Sequence, residues 1–229
     1  MFEEFKFKTE LHAHTSPASG CSEIQPEYLI EVYKKMGYTS VAVTNHFTFH
    51  EDVTDIKAKI DSYLDDYYKT LEFGKKEGLN VLLGAEIRFS ENYNDYLVYG
   101  ISEEDLYTIE GLLSKGIDNF YKEFKSDRNL IFQAHPFRNG MEPVNPESLD
   151  GIEVYNLHPG HNSRVGLAAQ YAKEHDFLII GGTDYHHFGH EGLGGIFTKE
   201  PVTDSFMLAK ILKNKEYLLN VGGFKAMPE

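Results

Sequence analysis

The sequence FKTELHAHT at residues 7–15 decides the expected fold. It is typical of a short β-strand, and it ends in two imidazoles, His12 and His14. Side chains two residues apart on a strand point to the same face, and their Cα atoms are about 6–7 Å apart. The two histidines can therefore converge on one metal ion or on neighbouring ions. A lone His-x-His pair is weak evidence for a metal site. The evidence becomes stronger if other strands also end in metal-ligating residues.

Five other apolar runs carry residues of the same chemical kind at their ends. The run FLIIGGTDYH at residues 177–186 ends in Asp184 and His186, again two positions apart. The remaining runs are SVAVTNH, which ends in His46, VLLGAEI with Glu86, LIFQAHP with His135, and GIEVYN with Glu153 and Asn156. Neutral imidazole together with carboxylate is a ligand set for Zn²⁺, Mn²⁺ or Fe²⁺ rather than for Ca²⁺ or Mg²⁺ alone. The pattern predicts a shared metal centre.

Apolar, β-branched runs alternate with helical patterns along the chain. The predicted strands span residues 6–12, 39–45, 80–87, 96–101, 130–135, 151–156, 177–183 and 216–221. The predicted helices span residues 26–36, about 53–77, 103–125, 163–175 and 203–214. Pro26 should begin the first helix and Gly37 should end it, and Asn162 and Ser163 are candidate caps of the fourth. This alternation predicts an α/β fold with a largely parallel sheet, which could close into a barrel with its chemistry at the C-terminal strand ends.

Composition excludes several classes of protein. The chain has 229 residues, of which 41% are hydrophobic and 25% charged, and we expect a single domain over residues 1–229 because no linker divides it. A net charge of −14 argues against nucleic-acid binding, although bound cations can still attract a small anion. No apolar run approaches the roughly 18 residues that cross a membrane. One cysteine and the absence of a signal-peptide stretch predict a cytoplasmic location.

The ordered motifs ELHAHT, VTNH, GAE, AHPFR, GIEVYN and GTDYH resemble those of the polymerase and histidinol phosphatase (PHP) family of metal-dependent phosphoesterases. The resemblance implies a distorted seven-stranded (β/α) TIM-like barrel with a two- or three-metal site at the strand C-termini. It also implies three sets of ligands: His12, His14, Glu86 and Asp184 for one ion, Glu86 and His135 for a second, and His46 and His186 for a third.

Three positions depart from the pattern of the family. Gly20 stands near the place of a frequent histidine, and the adjacent Cys21 is either a substitute ligand or a small packed residue. Asp95 is the nearby ligand-type residue where the family often has a histidine before the AHP motif. Asn45 replaces the aspartate of the usual TDH motif. The departures fall on the second and third ion sites.

The function that the resemblance implies is hydrolysis of a small phosphate ester, as a phosphomonoesterase or phosphodiesterase, by a metal-activated hydroxide at a di- or trinuclear site. The expected cofactors are two or three divalent transition metals per chain, Zn, Mn or Fe, and the expected partner is a small phosphorylated substrate. Asp184 or His186 could move the proton. Arg138 and Arg164 are the cations best placed to orient a phosphate, and Asn156 could contact substrate or orient a ligand.

Two other functions stay open, amidohydrolase-like C–N hydrolysis and a non-catalytic metal-binding or regulatory module. The strand ends carry no lysine suited to carbamylation, which disfavours the first. Glu153 either orients a ligand histidine or lies on the surface. The other histidines are expected in loops or at a helix end, and some of them near the mouth of the site: His158, His161, His187 and His190. The sequence does not indicate an oligomeric state.

Overall fold

The computed structural model describes residues 2–229, which form an α/β fold of mixed sheets and helices. The strands are β1 (Phe7–Ala13), β2 (Tyr38–Val43), β3 (His46–Thr48), β4 (Asn80–Leu83), β5 (Ala85–Arg88), β6 (Asp95–Tyr99), β7 (Leu130–Gln133), β8 (Gly151–Asn156), β9 (Leu178–Gly182), β10 (Ile196–Thr198), β11 (Leu218–Val221) and β12 (Phe224–Ala226). The α-helices are α1 (Pro26–Lys35), α2 (Ile56–Glu77), α3 (Glu103–Leu112), α4 (Gly116–Phe124), α5 (Val165–Glu174) and α6 (Ser205–Lys213).

Backbone hydrogen bonds join the strands into two six-stranded sheets, ordered β12-β11-β10-β1-β2-β4 and β3-β5-β6-β7-β8-β9. Parallel and antiparallel pairs are mixed in both sheets, so the expectation of a largely parallel sheet is wrong. The short connections explain this result. Residues 89–94 alone join β5 to β6, and a link this short allows only antiparallel pairing, because a parallel crossover needs a dozen or more residues.

The predicted barrel does not occur as one closed hydrogen-bonded sheet within residues 2–229. The two sheets nevertheless approach each other at two places. A parallel bridge between Ala13 and Tyr185 connects the end of β1 to the segment after β9. On the other side, β4 and β5 are separated by Gly84 alone, where sequence analysis predicted one strand over residues 80–87. This arrangement brings the strand ends of both sheets to one rim.

The predicted helix over residues 103–125 is two helices, α3 and α4. The break lies at Gly116, whose φ of 78° is in the left-handed region. The Glu91 carboxylate accepts a hydrogen bond from the backbone N–H of Ile117 at 3.0 Å. A Cβ atom at position 116 would lie 2.1 Å from Oε2 of Glu91, so both the φ angle and the close approach require glycine.

Helix boundaries agree with the sequence for the first helix and disagree for the fourth. The helix α1 begins at Pro26, and Gly37, with φ of 76°, follows its end. Before α5, however, Arg164 occupies the cap position with φ of 46° and no side-chain cap is formed. The Ser163 hydroxyl donates instead to Oδ1 of Asn156 at 3.1 Å, so the predicted capping by Asn162 and Ser163 is wrong.

Two apolar clusters hold these elements in place. The larger takes buried side chains from every helix from α2 to α6 and from both sheets. The smaller packs α1 against β1 and β2, through buried residues that include Leu29, Ile30, Tyr33, Val41 and Val43. None of the helices in the described part of the chain has the length and apolar character needed to span a membrane. Tight packing of the strands fixes the positions of the polar residues at their ends.

Candidate metal centre

The predicted metal ligands converge at one rim of the fold. His12 lies in β1 and His14 follows it, while Glu86 lies in β5 directly opposite His46 of β3. The remaining ligands follow the ends of two further strands, β7 and β9: His135, Asp184 and His186. All of them are buried except His46, whose side chain is 25% exposed.

Glu86 lies at the middle of the cluster and contacts four imidazoles. Its Oε1 is 3.3 Å from Nε2 of His12 and 3.1 Å from Nε2 of His135. Its Oε2 is 3.3 Å from Nε2 of His14 and 2.9 Å from Nδ1 of His46. Both carboxylate oxygens of Glu86 therefore have histidine nitrogens around them, which makes Glu86 a candidate metal ligand.

Asp184 is the second carboxylate that contacts the histidines of β1. Its Oδ1 lies 3.4 Å from Nε2 of His12 and 3.6 Å from Nε2 of His14. Asp184 has φ of 55° and His135 has φ of 31°, both in a region that L-residues rarely adopt. Strained backbone of this kind occurs at functional sites, where the surrounding structure holds it in place.

Buried hydrogen bonds orient the two histidines of β1. Nδ1 of His12 lies 2.9 Å from Oε1 of Glu153, and Nδ1 of His14 lies 3.0 Å from the hydroxyl of Ser19. Each ring therefore turns its Nε2 toward Glu86 and Asp184. Both Nε2 atoms are buried without a hydrogen-bond partner. Buried polar atoms without partners are costly, and a bound divalent cation would satisfy both of them, so these residues fit the metal centre that the sequence predicts.

The charges in the cluster suit cation binding. Burial opposes the ionisation of Glu86 and Asp184, but the neighbouring imidazoles outweigh it and hold the pKa of both carboxyls well below the usual range. Burial and the neighbouring imidazoles hold the pKa of His14 well below its usual value. Burial also disfavours a charged His12, yet the surrounding carboxylates raise the pKa of its imidazole well above the usual value. A metal ion would displace that proton.

A cavity of about 410 Å³ opens beside the cluster. Its walls combine metal-type ligands with two arginines, Arg88 and Arg138. Nη1 of Arg138 lies 3.8 Å from Oδ2 of Asp184 and 3.4 Å from Nδ1 of His161. Guanidinium groups and the carboxylates of the cluster therefore line the same cavity. Guanidinium groups on a cavity wall suit an anionic ligand.

Sequence reasoning missed Arg88. Its Nε and Nη2 donate to the two carboxylate oxygens of Asp95, both at 2.7 Å, across the antiparallel pair β5–β6. The sequence did contain one indication of Arg88. It stands two residues after Glu86, so the two side chains lie on the same face of the strand. Finding the Asp95 partner required the register of the two strands.

A PHP domain model matches residues 10–187 of the chain. The chain belongs to the PHP domain family. The match includes every predicted metal ligand, and it includes the buried residues Ser19 and Glu153 that orient them.

Individual relatives of this PHP chain are distant. It is 25% identical over 171 residues to the uncharacterized protein MJ1587 of Methanocaldococcus jannaschii, a match that covers 66% of this chain and 82% of the relative. It is 28% identical over 104 residues to a PolC-type DNA polymerase III of Oceanobacillus iheyensis. That match covers 45% of this chain and 6% of the polymerase, so the shared region is a small part of the relative's length.

A solved structure has the same fold over most of the chain. A two-domain protein of Bacteroides vulgatus, described as containing a predicted PHP-like metal-dependent phosphoesterase, superposes with a TM-score of 0.66 at 18% identity. The superposition covers 96% of this chain and 66% of that one. The family match and the superposition together show a PHP fold over most of the chain, with the histidine–carboxylate cluster at its rim.

The departures from the PHP pattern have different structural consequences. Asn45 has a structural contact, since its Oδ1 accepts from the backbone N–H of Thr15 at 2.7 Å and from the hydroxyl of Ser19 at 3.0 Å. Asp95 lies at the cluster, 3.9 Å from Nε2 of His135, and has a carboxylate oxygen near ligand atoms of His46 and Glu86. Asn45 is therefore held by hydrogen bonds beside the cluster, and Asp95 is a candidate ligand.

Cys21 lies on the cavity wall beside His46 and His186. Partial burial opposes ionisation of its thiol, but these two imidazoles lower the pKa of Cys21 to about 6. The neighbouring Gly20 is exposed and lines an adjacent pocket instead. Of the two residues at this departure, only Cys21 faces the cavity.

Two of the three residues predicted to contact substrate have other contacts. Asn156 is buried, and its amide donates to Glu153 Oε2 at 3.0 Å and to Asp184 Oδ2 at 3.1 Å, so it orients the ligand Asp184. Arg164 does not line the cavity within the described part of the chain, and its guanidinium donates to the Phe137 carbonyl and to Asn139. Its prediction as a phosphate-binding group is not supported by this geometry.

The histidines expected near the mouth form a group around His158. The rings of His158 and His161 stack with centroids 3.9 Å apart, and His190 and His187 pack against His158. His158, His161 and His187 line the cavity, whereas His190 does not. His161 is the member next to the ligands, with Nδ1 3.5 Å from Oδ2 of Asp184.

Proposed function

We propose that the chain hydrolyses a small phosphate ester in the 410 Å³ cavity. The observation that carries this proposal is the presence of two arginines on the walls of the same cavity that contains the histidine–carboxylate cluster. A phosphate group needs both kinds of partner, cations that neutralise its oxygens and a route to an activated water. The size of the cavity favours a small substrate, while the choice between a monoester and a diester stays open.

We assign two or three divalent transition metals, Zn, Mn or Fe, as cofactors. His12, His14, Glu86 and Asp184 would hold one ion. Glu86 and His135 would hold a second, with Asp95 as a further candidate, and the third set includes His46 and His186. Ions bound at these residues would polarise the phosphate and lower the pKa of a bound water.

The chain's own residues would bind substrate and move the proton. Arg138 faces the cavity, and Arg88 keeps Nη1 outside its pair with Asp95, so both can donate hydrogen bonds to phosphate oxygens. Asp184 and His186 also line the cavity and are the proposed proton-transfer groups. Nδ1 of His186 lies 3.0 Å from the carbonyl oxygen of Asp184, which leaves its other nitrogen for this role or for metal.

The proposal also covers the architecture, the domain organisation, the cellular location and the class of substrate that is excluded. The bridge from the end of β1 to Tyr185, after β9, and the separation of β4 from β5 by Gly84 alone support a distorted barrel. Its seven strands would be β1, β2, β4 with β5, β6, β7, β8 and β9. We propose that residues 1–229 form one PHP domain, which acts in the cytoplasm. We also propose that nucleic acid is not its substrate, because the net charge of −14 repels a polyanion.

The test combines metal analysis with a substrate panel. Protein purified without chelator, and protein loaded with Zn²⁺, Mn²⁺ or Fe²⁺, is assayed on p-nitrophenyl phosphate, its bis-aryl diester, sugar phosphates and nucleotides, with N-acyl amino acids testing the amidohydrolase alternative. We expect phosphate-ester hydrolysis that His12→Ala and Asp184→Ala abolish together with bound metal, while the folded state is retained. The exposed His175 provides the control variant His175→Ala, which should keep full activity.

Three results would contradict the proposal. Full activity in His12→Ala or Asp184→Ala would remove the cluster from catalysis. Turnover of the amides alone would favour C–N hydrolysis. Metal binding without turnover of any substrate would favour a non-catalytic metal-binding module.

A further inference from the structure

Asn45, which replaces the aspartate of the usual TDH motif, lies in a chain of buried hydrogen bonds that ends at the ligand His14. All five side chains of this chain are buried. In order, they are Asp66 of α2, Thr15, Asn45, Ser19 and His14. The proposed function uses only the last of them as a ligand, and the directions of the hydrogen bonds indicate what the others do.

The backbone fixes the orientation of the Asn45 amide. The N–H of Thr15 can only donate, and it lies 2.7 Å from one terminal atom of the amide, which must therefore be the oxygen Oδ1. The other terminal atom is then Nδ2, which donates to the hydroxyl of Thr15 at 2.8 Å. That hydroxyl donates in turn to Oδ2 of Asp66 at 3.2 Å. Donors and acceptors therefore match at every step from α2 to Asn45.

The amide oxygen of Asn45 then fixes the direction of the Ser19 hydroxyl. Oγ of Ser19 lies 3.0 Å from Oδ1 of Asn45, and two oxygens at this distance repel unless a proton lies between them. The amide oxygen has no proton, so the hydroxyl must supply it. Because a hydroxyl has one proton, Oγ can only accept from its other two neighbours, the backbone N–H of His46 at 2.9 Å and Nδ1 of His14 at 3.0 Å.

Nδ1 of His14 must therefore carry a proton. A neutral imidazole has one N–H and one nitrogen with a lone pair, and a metal ion binds the lone pair. With the proton on Nδ1, the lone pair is on Nε2, the buried atom that faces Glu86 and Asp184 without a hydrogen-bond partner. If Ser19 donated to Nδ1 instead, Nε2 would carry the proton and could not bind metal.

We propose that Asn45 is a positioning residue that holds His14, through Ser19, in the tautomer whose Nε2 can bind a metal ion. The inference rests on the metal centre of the proposed function, and it adds the residue that sets the proton position on one ligand. It also accounts for an amide at position 45. A carboxylate there would still accept from Ser19, but it could not donate to Thr15, and it would place a second carboxylate beside the hydroxyl that Asp66 binds.

The tautomer can be measured in the metal-free full chain, without substrate. Two-bond proton–nitrogen correlation spectra are recorded at about pH 8, where an ordinary imidazole is neutral. They show which nitrogen of each ring carries the proton, and the spectrum of His14→Gln identifies the signals of His14. We expect the proton on Nδ1 of His14 in the wild-type chain. A proton on Nε2 would overturn the proposal.

Variants at position 45 test whether the amide oxygen is responsible. Asn45→Leu removes the acceptor, so Ser19 can donate to His14. The proton should then move to Nε2, and Zn²⁺ affinity should fall about 10–100-fold, as for other changes behind a ligand histidine. Asn45→Asp keeps an acceptor oxygen, so it should keep the proton on Nδ1 and bind Zn²⁺ no more weakly than the wild-type chain, although its melting temperature falls. Competition with a chromogenic chelator measures the affinities.

Asn129 provides the matched control. It is also a buried asparagine, but its side chain contacts the backbone of Phe124 and Ser126. Asn129→Leu should lower the melting temperature and leave both the His14 tautomer and the Zn²⁺ affinity unchanged. If Asn45→Leu behaves in the same way as Asn129→Leu, Asn45 has only a structural role and the proposal is wrong.

A second variant decides the matter if Asn45→Leu does not fold. Ser19→Ala removes the acceptor of the Nδ1 proton, so the preference for Nδ1 should be lost, and a retained preference would overturn the proposal. Absence of Zn²⁺ binding to the wild-type chain would contradict both this inference and the proposed function. Zn²⁺ binding with the proton on Nδ1, but without hydrolysis of any phosphate ester, would contradict the proposed function alone.

Discussion

The carboxylate of Glu153 lies 2.9 Å from Nδ1 of His12, although 141 positions separate the two residues in the chain. Its other oxygen accepts from the backbone N–H of His135 at 3.1 Å and from the amide of Asn156 at 3.0 Å. One buried side chain thus orients a ligand ring, the backbone of a second ligand and the residue that holds Asp184. Glu153 is therefore buried rather than on the surface, and its contacts suit the orientation of candidate ligands.

Replacing Glu153 with glutamine should weaken metal binding. The amide keeps the size of the side chain but removes the negative charge beside His12, and such second-sphere changes cost about 10–100-fold in metal affinity. Competition with a chromogenic chelator measures this loss. The exposed Glu123, which pairs with Lys115, provides the matched control Glu123→Gln. Equal affinity in Glu153→Gln and the wild-type chain would show that the contact does not support the site.

We expect metal binding to require glycine at position 182, because a side chain there would displace the residues around His12. A Cβ atom there would lie 2.4 Å from Cβ of His12 and 2.8 Å from Oε1 of Glu153. Gly182→Ala should therefore displace this pair, lowering both metal affinity and the melting temperature. The control is Gly111→Ala in α3, where a Cβ meets nothing within 4 Å and should stabilise the helix by about 0.5–1 kcal/mol. Similar behaviour of both variants in thermal unfolding and metal titration would contradict this expectation.

Metal removal should destabilise the fold, because the ligands are buried and several of their polar atoms have no other partner. A ligand present at 100 times its Kd stabilises the native state by about 2.7 kcal/mol. For a chain of this size, each kcal/mol shifts the melting temperature by about 2–4 °C, so chelation should lower it by about 5–10 °C. Thermal unfolding with and without chelator measures the difference, and excess Zn²⁺ should reverse it. His12→Ala should respond much less to chelator, and an equal response would place the stabilising ion elsewhere.

Arg138→Ala should raise KM for a phosphorylated substrate more than it changes bound metal. Its guanidinium lies on the cavity wall near Asp184 and is not a ligand, and hydrogen bonds to charged groups contribute about 1.5–3 kcal/mol. The expected increase in KM is about ten- to hundredfold. Steady-state kinetics and elemental analysis on the same preparation give both quantities, with the exposed Lys122→Ala as control. An unchanged KM would remove Arg138 from the substrate site.

The residues of the cluster could be found from the sequence, because each lies at the end of an apolar run and two pairs have i, i+2 spacing. The partner of Arg88 could not, since Asp95 opposes it only through the register of β5 and β6. The position of the Arg164 guanidinium likewise depends on tertiary contacts. Its position after a histidine-rich loop suggested the site, but a left-handed backbone and contacts to Phe137 and Asn139 hold its guanidinium outside the cavity.

The sequence by itself determined which chemical groups the protein has, their order, and the strand ends on which they lie, because strand periodicity and the polar residues that follow apolar runs are local properties. The tertiary structure alone decided that Glu86 stands between four imidazoles, that Glu153 reaches His12, and that β5 and β6 run antiparallel. These facts depend on strand register and on packing between segments far apart in the chain, which a local pattern does not specify.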